Sequence, residues 1–164
     1  MSHAAGTSRQ VVIGEAAPEF ALPNQFGELI RLSGLRGQNV VLVFYPFAFS
    51  QVCTAEICEL AGRSADFDAA GAALFAISVD SKYTLRAFAA AEGVEFGLLS
   101  DFWPHGAAAE AYGVFDAERG LARRGSFAID AEGIVRAAFF SEASQARPWA
   151  DYQRALQALA GSDG

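Results

Sequence analysis

The sequence predicts an α/β domain in which a central mixed sheet is flanked by helices and preceded by a β-hairpin. Three patterns carry that expectation. Val40 to Tyr45 (Val-Val-Leu-Val-Phe-Tyr) is an unbroken run of apolar, β-branched and aromatic residues, as in a strand buried on both faces. A helical pattern follows it and then a second such run, Ala73 to Val79, so that strand, helix and strand make a crossover with a parallel pair. Later, Ala122 to Ile129 and Ile134 to Phe140 flank Asp-Ala-Glu-Gly, a hairpin signal with glycine where a left-handed residue is needed.

In chain order, residues 1 to 10 are small and polar and are expected to be a disordered tail, with 11 to 164 forming a single domain. At 164 residues and 52% hydrophobic, the chain can build one sizeable core and is too short for two ordinary domains. Phe20 to Leu22 and Leu29 to Leu32 flank Pro-Asn-Gln-Phe-Gly, which has the turn chemistry of a hairpin, and Leu32 to Gly37 is a connector. Pro46 ends the central strand because it cannot donate to a ladder. From about Ser50 a helix is expected, with Ile57, Leu60, Ala61, Ser64 and Phe67 on one face. Lys82 to Glu92 reads as a second helix closed by Gly93, and Phe96 to Leu99 as a short strand. Gly106 to Tyr112 is a short helix after Pro104, and Gly113 to Phe115 a brief extended piece. Ser144 to Trp149 leads into the last helix, whose first turn suits Pro148 and whose apolar stripe is Tyr152, Leu156 and Leu159.

A formal charge of −7 and a pI near 4.7 argue against a general nucleic-acid or anionic-membrane surface, which would want clustered positive charge. Small or neutral substrates fit better. Among the basic residues only Lys82 is a lysine, so no single arginine is informative without its context. No apolar run reaches membrane-spanning length and residues 1 to 10 lack the hydrophobic segment of a signal peptide, so a cytoplasmic protein is expected. Two cysteines are too few for a disulfide framework, and His3 and His105 give no ligand cluster; no metal and no cofactor are expected.

The chemistry gathers behind the central strand. Strand, proline, loop, hydroxyl and a cysteine at a helix start come in order as Pro46, Ser50 and Cys53. At a helix N-terminus, unpaired N–H groups and the positive end of the dipole favour a thiolate over a thiol, so Cys53 reads as a reactive cysteine rather than a small buried hydrophobe. Ser50 offers a hydroxyl that both donates and accepts. Pro46 brings no competing donor, and the N–H groups of Val52 and Cys53 can point inward.

This spacing of proline, three residues, serine or threonine, two residues and cysteine resembles the signature of the peroxiredoxins. The segment Leu98-Leu-Ser-Asp-Phe-Trp-Pro-His-Gly, continuing to Ala111-Tyr-Gly-Val-Phe, is similar to their alkyl hydroperoxide reductase E branch, and the likeness extends over roughly residues 11 to 160. The resemblance implies a thioredoxin-like fold and a thiol-dependent peroxidase that reduces hydrogen peroxide and organic hydroperoxides through a sulfenic acid on Cys53. It also implies a thiol reductant (thioredoxin, a glutaredoxin-like protein or a low-molecular-weight thiol) and a homodimer. A cation beside the sulfur is needed to hold the peroxide oxygens, and Arg124 matches the family's arginine ahead of Gly-Ser-Phe-Ala-Ile-Asp. Arg123 is its neighbour, and because side chains alternate along a strand only one of the two can face the site. Glu56 matches a family acid that orients the arginine, and is equally an ordinary first-turn carboxylate. Phe102, Trp103, Pro104 and His105 match an aromatic loop by the dimer contact and the pocket; core packing is the competing reading.

Cys58, five residues after Cys53, has the spacing of a resolving cysteine in the bacterioferritin-comigratory, or Q, type. On an intact helix five residues turn about 140° and leave the Cα atoms roughly 8 to 9 Å apart, beyond a disulfide's reach. Resolution by Cys58 therefore requires the helix start to unwind, and the alternative is an outside thiol. Two other functions compete. A thioredoxin-type disulfide oxidoreductase would need a second cysteine where Thr54-Ala55-Glu56 stands. A peroxide sensor or holdase chaperone could use the same thiolate, and continuous turnover of peroxide separates the enzyme from the sensor.

Overall fold

The computed structural model describes residues 11–161; the tail expected over 1 to 10 lies outside the described residues. Chain order runs β1 (Ala21–Pro23), β2 (Leu29–Arg31), a 3-10 turn (Leu32–Leu35), β3 (Asn39–Phe44), α1 (Gln51–Gly62), α2 (Ser64–Ala69), β4 (Ala72–Ser78), α3 (Lys82–Glu92) and β5 (Gly97–Ser100). It continues with α4 (Ala107–Ala111), β6 (Phe115–Asp116), β7 (Leu121–Ala122), β8 (Arg124–Ile129), β9 (Val135–Ser141) and α5 (Trp149–Gly161). The main sheet has the order β5-β4-β3-β8-β9, with the β3 pairs to β4 and of β4 to β5 parallel and those of β8 to β3 and β9 antiparallel. β1 and β2 form the separate N-terminal hairpin.

All six residues of β3 are buried, because both faces of the sheet are covered. Alternation sends Val41 and Val43 into one apolar layer, with Ile57 and Leu60 of α1, Leu85 and Phe88 of α3, and Tyr152 and Leu159 of α5. Val40, Leu42 and Phe44 enter the opposite layer with Phe20, Leu22, Ala108, Tyr112 and Phe127.

Two elements differ from the sequence reading, each for a local reason. The first helix is interrupted at Arg63, whose N–H turns back to the Leu60 carbonyl; Ser64 consequently lies exposed although Phe67 is buried. The strand expected over Ala122 to Ile129 is divided at Arg123. Leu121 and Ala122 pair with β6, the Arg123 N–H bonds to the Val114 carbonyl at 2.7 Å, and β8 begins only at Arg124. That division leaves Arg123 exposed and turns Arg124 inward. At the β8–β9 turn Gly133 has φ +86°, a left-handed backbone that calls for glycine, and the Arg36 guanidinium lies over the space a Cβ would take.

Register fixes where the site forms. β8 runs antiparallel to β3 and Phe44 pairs with Gly125, so the start of β8 lies beside the end of β3, the loop that follows it and the first turn of α1.

Candidate active site

Pro46 to Ser50 connects β3 to α1. Within it Phe49 takes a left-handed φ of +71°, which costs a non-glycine residue on the order of 1 kcal/mol and persists only where the surroundings hold it. Ser50 is the N-cap residue, but its hydroxyl does not cap the helix; it donates to the Phe47 carbonyl at 3.0 Å. The first intrahelical bond runs from the Thr54 N–H to the Ser50 carbonyl at 2.8 Å, so Gln51, Val52 and Cys53 carry the N–H groups of the open first turn.

Cys53 is wholly buried in its packing, and its sulfur sits 3.0 Å from Nη2 of Arg124. The Arg124 guanidinium is spread over three partners. Nε donates to the Ala143 carbonyl at 3.0 Å, Nη1 to Oε1 of Glu56 at 2.9 Å, and Nη2 to the sulfur. Pro46, Ser50, Cys53 and Arg124 line one pocket of about 250 Å³, whose other walls include Phe47, Val52, Arg119 and Leu121. The structure thus brings Pro46, Ser50, Cys53, Glu56 and Arg124 together, and leaves Arg123 and Cys58 outside the cluster.

Sequence reasoning missed the residue that anchors Glu56. Arg147 is 1% exposed and grips both carboxylate oxygens, through Nε at 2.7 Å and Nη2 at 2.9 Å, while its own N–H reaches Oε2 at 3.2 Å. Its Nη1 donates to the Phe44 carbonyl and to the Ser126 hydroxyl. Tyr152, read from the sequence only as part of an apolar stripe, donates its hydroxyl to Oε2 of Glu56 at 2.9 Å. The sole local signal was an arginine placed just before the Pro148 helix start; its partner is 91 residues away.

Burial alone would push the Glu56 carboxyl up. The hydrogen bonds and charge of Arg147, with the Tyr152 hydroxyl and the charge of Arg124, more than reverse this and hold it below the usual carboxylate range. Burial, with the charge of Glu56, raises Tyr152 well above an ordinary phenol despite Arg147, so its hydroxyl stays protonated and donates. The buried set holds two guanidinium charges against one carboxylate, so one positive charge is left facing the Cys53 sulfur.

Cys58 lies on another face of α1, half-buried, with its sulfur 3.4 Å from Oε1 of Glu92 at the end of α3. Both cysteines are free thiols. Burial, and then the hydrogen bond and charge of Glu92, push the Cys58 thiol up. Phe102 and Trp103 are 54% and 79% exposed, so they do not pack in the core, and Phe47 and Phe49 are also exposed. His105 lies 2.7 Å from the Gly120 carbonyl through Nε2, in the same stretch. Among the described residues no group of three or more His, Cys, Asp or Glu could hold a metal ion, and no helix is long and apolar enough to cross a membrane.

The AhpC/TSA family profile matches residues 13–138. Alkyl hydroperoxide reductase E of Mycobacterium tuberculosis is 42% identical over 150 residues, covering 89% of this chain and 98% of that protein. Among solved structures, peroxidoxin BcpB of M. tuberculosis superposes with a TM-score of 0.79 at 30% identity, covering 93% of this chain and 98% of that one. AhpC of Enterococcus faecalis superposes at 0.83 with 26% identity, covering 94% and 95%. On a match this long, and on a fold that superposes on those structures over more than nine-tenths of the chain, the chain belongs to the AhpC/TSA family and is a peroxiredoxin, a thiol-dependent peroxidase.

Proposed function

We propose that Cys53 is the nucleophile that reduces hydrogen peroxide and organic hydroperoxides, with Arg124, Ser50 and Pro46 around the reacting oxygens. The observation that carries this reading is the Arg124 guanidinium 3.0 Å from the Cys53 sulfur at the wall of an open pocket. The thiolate attacks one peroxide oxygen in line with the O–O bond; an S–O bond forms, the O–O bond breaks, and the departing oxygen leaves as water or an alcohol once protonated. Arg124 stabilises charge on sulfur before the step and on the oxygens during it. Ser50 supplies a hydroxyl that can turn between donating and accepting, and Pro46 contributes a wall without a donor. Glu56 holds Arg124 in place and is itself held by Arg147 and Tyr152.

The sulfenic acid on Cys53 is then resolved by Cys58. The Cys58 sulfur attacks the Cys53 sulfur, an S–S bond forms, the S–O bond breaks, and hydroxide leaves with the thiol proton as water. Because α1 is continuous from Gln51 to Gly62, its first turn unwinds for the sulfurs to meet. A thiol reductant returns the disulfide to the dithiol; thioredoxin, a glutaredoxin-like protein and a low-molecular-weight thiol are its candidate classes. Two free cysteines fit a reducing compartment, the cytoplasm, and two apolar layers on one sheet support reading the chain from residue 11 onward as one domain. The exposed aromatics Phe47, Phe49, Phe102 and Trp103 support a homodimer joined at these loops.

The test is Cys53→Ser, which should end peroxide consumption while circular dichroism stays as in the wild type; surviving turnover refutes the assignment. One equivalent of peroxide should leave the wild type about 2 Da below the dithiol. Oxygen adducts on Cys53 with a Cys58 that still alkylates would assign resolution to an outside thiol.

A further inference from the structure

Asp80, between β4 and α3, carries a carboxylate that no step above uses. Its Oδ2 accepts the Ser78 hydroxyl at 2.6 Å and the Ala48 N–H at 2.8 Å, while its carbonyl accepts the Ser100 hydroxyl at 2.6 Å. The residue is therefore tied to β4 and β5, and through Ala48 it ties the Cys53 loop to the sheet. Ala48 precedes Phe49, the left-handed residue, whose ring packs edge-on against Phe88 of α3 at 5.1 Å. At the far end of α3, Glu92 takes the Cys58 thiol. The stretch Asp80 to Glu92 thus holds the stretch Ala48 to Cys58 at a backbone N–H, at a ring and at a thiol.

We propose that Asp80 is a positioning residue whose carboxylate, by accepting the Ala48 N–H, keeps the Pro46 to Ser50 loop and the first turn of α1 wound, and so sets the balance between peroxide reduction and disulfide formation. The inference rests on the reading of Cys53 given above. The two steps make opposite demands on one bond. Oxidation needs the sulfur beside Arg124, with the loop closed; the disulfide needs the first turn of α1 released, with the loop open. Weakening the Ala48 tie slows the first step and speeds the second. General loss of stability would not separate them in this way.

The experiment follows single-turnover oxidation by hydrogen peroxide in the full chain, comparing wild type, Asp80→Ala and Asp80→Asn, each also with Cys58→Ser so that the first step is read alone. Asp80→Ala should slow Cys53 oxidation by about tenfold, the effect of losing a hydrogen bond to a charged acceptor. It should also speed disulfide formation and raise amide exchange at Ala48. Asp80→Asn keeps an oxygen that accepts the N–H and should stay near wild type. Unchanged oxidation with unchanged exchange at Ala48 overturns the proposal, and so does slowing of both steps together. Should Asp80→Ala fail to fold, Ser78→Ala removes the hydroxyl that orients the carboxylate and is held to the same outcomes. Wild type that gives only oxygen adducts removes Cys58 from the cycle, and the oxidation rate and Ala48 exchange then decide on Asp80 by themselves.

Discussion

Glu56→Gln isolates the charge at the centre of the site while preserving the shape of the side chain. Glu56 accepts five hydrogen bonds, from Arg124 Nη1, from the Arg147 N–H, Nε and Nη2, and from the Tyr152 hydroxyl. Glutamine replaces one acceptor oxygen with an NH₂ group, and at either position that group faces at least two donors. Two guanidinium groups, each 1% exposed or less at the side chain, also lose their only carboxylate partner at this cluster. Removing one member of so buried a pair costs about 3 to 5 kcal/mol, because the remaining charge stays desolvated. For a chain of this size that is roughly 6 to 20 °C in Tm. The pH dependence has a definite sign. Glu56 is held below its ordinary range in the folded protein, so its contribution is complete above the unfolded value of about 4.3 and fades as pH falls towards the folded one. Urea denaturation at pH 7 and again at successive values below pH 4.3 measures both effects. Wild type should lose stability over that acid window and Glu56→Gln should lose correspondingly less. A stability loss under about 1 kcal/mol at pH 7, with an unchanged acid slope, would refute the reasoning.

Other substitutions test the remaining parts. Arg124→Ala should raise the barrier to Cys53 oxidation by about 2 to 4 kcal/mol, whereas Arg123→Ala, at an exposed position, should leave the rate constant near wild type; the reverse result would assign the role to Arg123. Glu92→Gln removes a charge that pushes the Cys58 thiol up, so alkylation of Cys58 by iodoacetamide at pH 8 should accelerate several-fold, about what one weak hydrogen bond is worth; an unchanged rate would show that burial alone governs the thiol. Light scattering at micromolar concentration should return twice the 17.3 kDa chain mass, and Trp103→Glu, at the most exposed of the large aromatics, should return the monomer.

The parts of this molecule legible in the sequence are those whose cause is local. An unbroken apolar run names a strand covered on both faces, and β3 is one; Lys82 to Glu92 shows its closing glycine in the sequence and forms α3 over that range. Pro46, Ser50 and Cys53 are neighbours in the chain and remain neighbours in the pocket. Arg147 shows no such pattern. Its environment is made by Glu56, Phe44 and Ser126, which arrive from three other elements, and Pro148 beside it marks a helix start without saying that the arginine is buried. Tyr152 was visible by its ring and hidden by its hydroxyl, since helical periodicity reports which face is buried and says nothing of what a polar tip will meet there. The division between Leu121-Ala122 and β8 escaped for a similar reason, as the break comes from pairing with β6 and the Val114 carbonyl rather than from a glycine or proline in the strand.

That division also explains how a strand pattern with two consecutive arginines yields a single inward cation. In one continuous strand, alternation makes one arginine face the site, but sequence alone leaves the phase open. Breaking the ladder at Arg123 gives its N–H to Val114 and restarts the register with Arg124 opposite Ser141 and Gly125 opposite Phe44. A side chain at Gly125 would press on Val114 and Phe140, within 2.8 and 3.2 Å of a Cβ, so glycine beside Arg124 lets β8 lie close against its neighbours. The guanidinium then meets Glu56 and Cys53 from a strand, a stiffer support than a loop, while the sulfur comes from a helix start whose first turn has yet to enter the helical ladder. In the cycle proposed above, a rigid cation set against a releasable thiol would keep the charge in place for each new peroxide while the sulfur alone travels to be resolved.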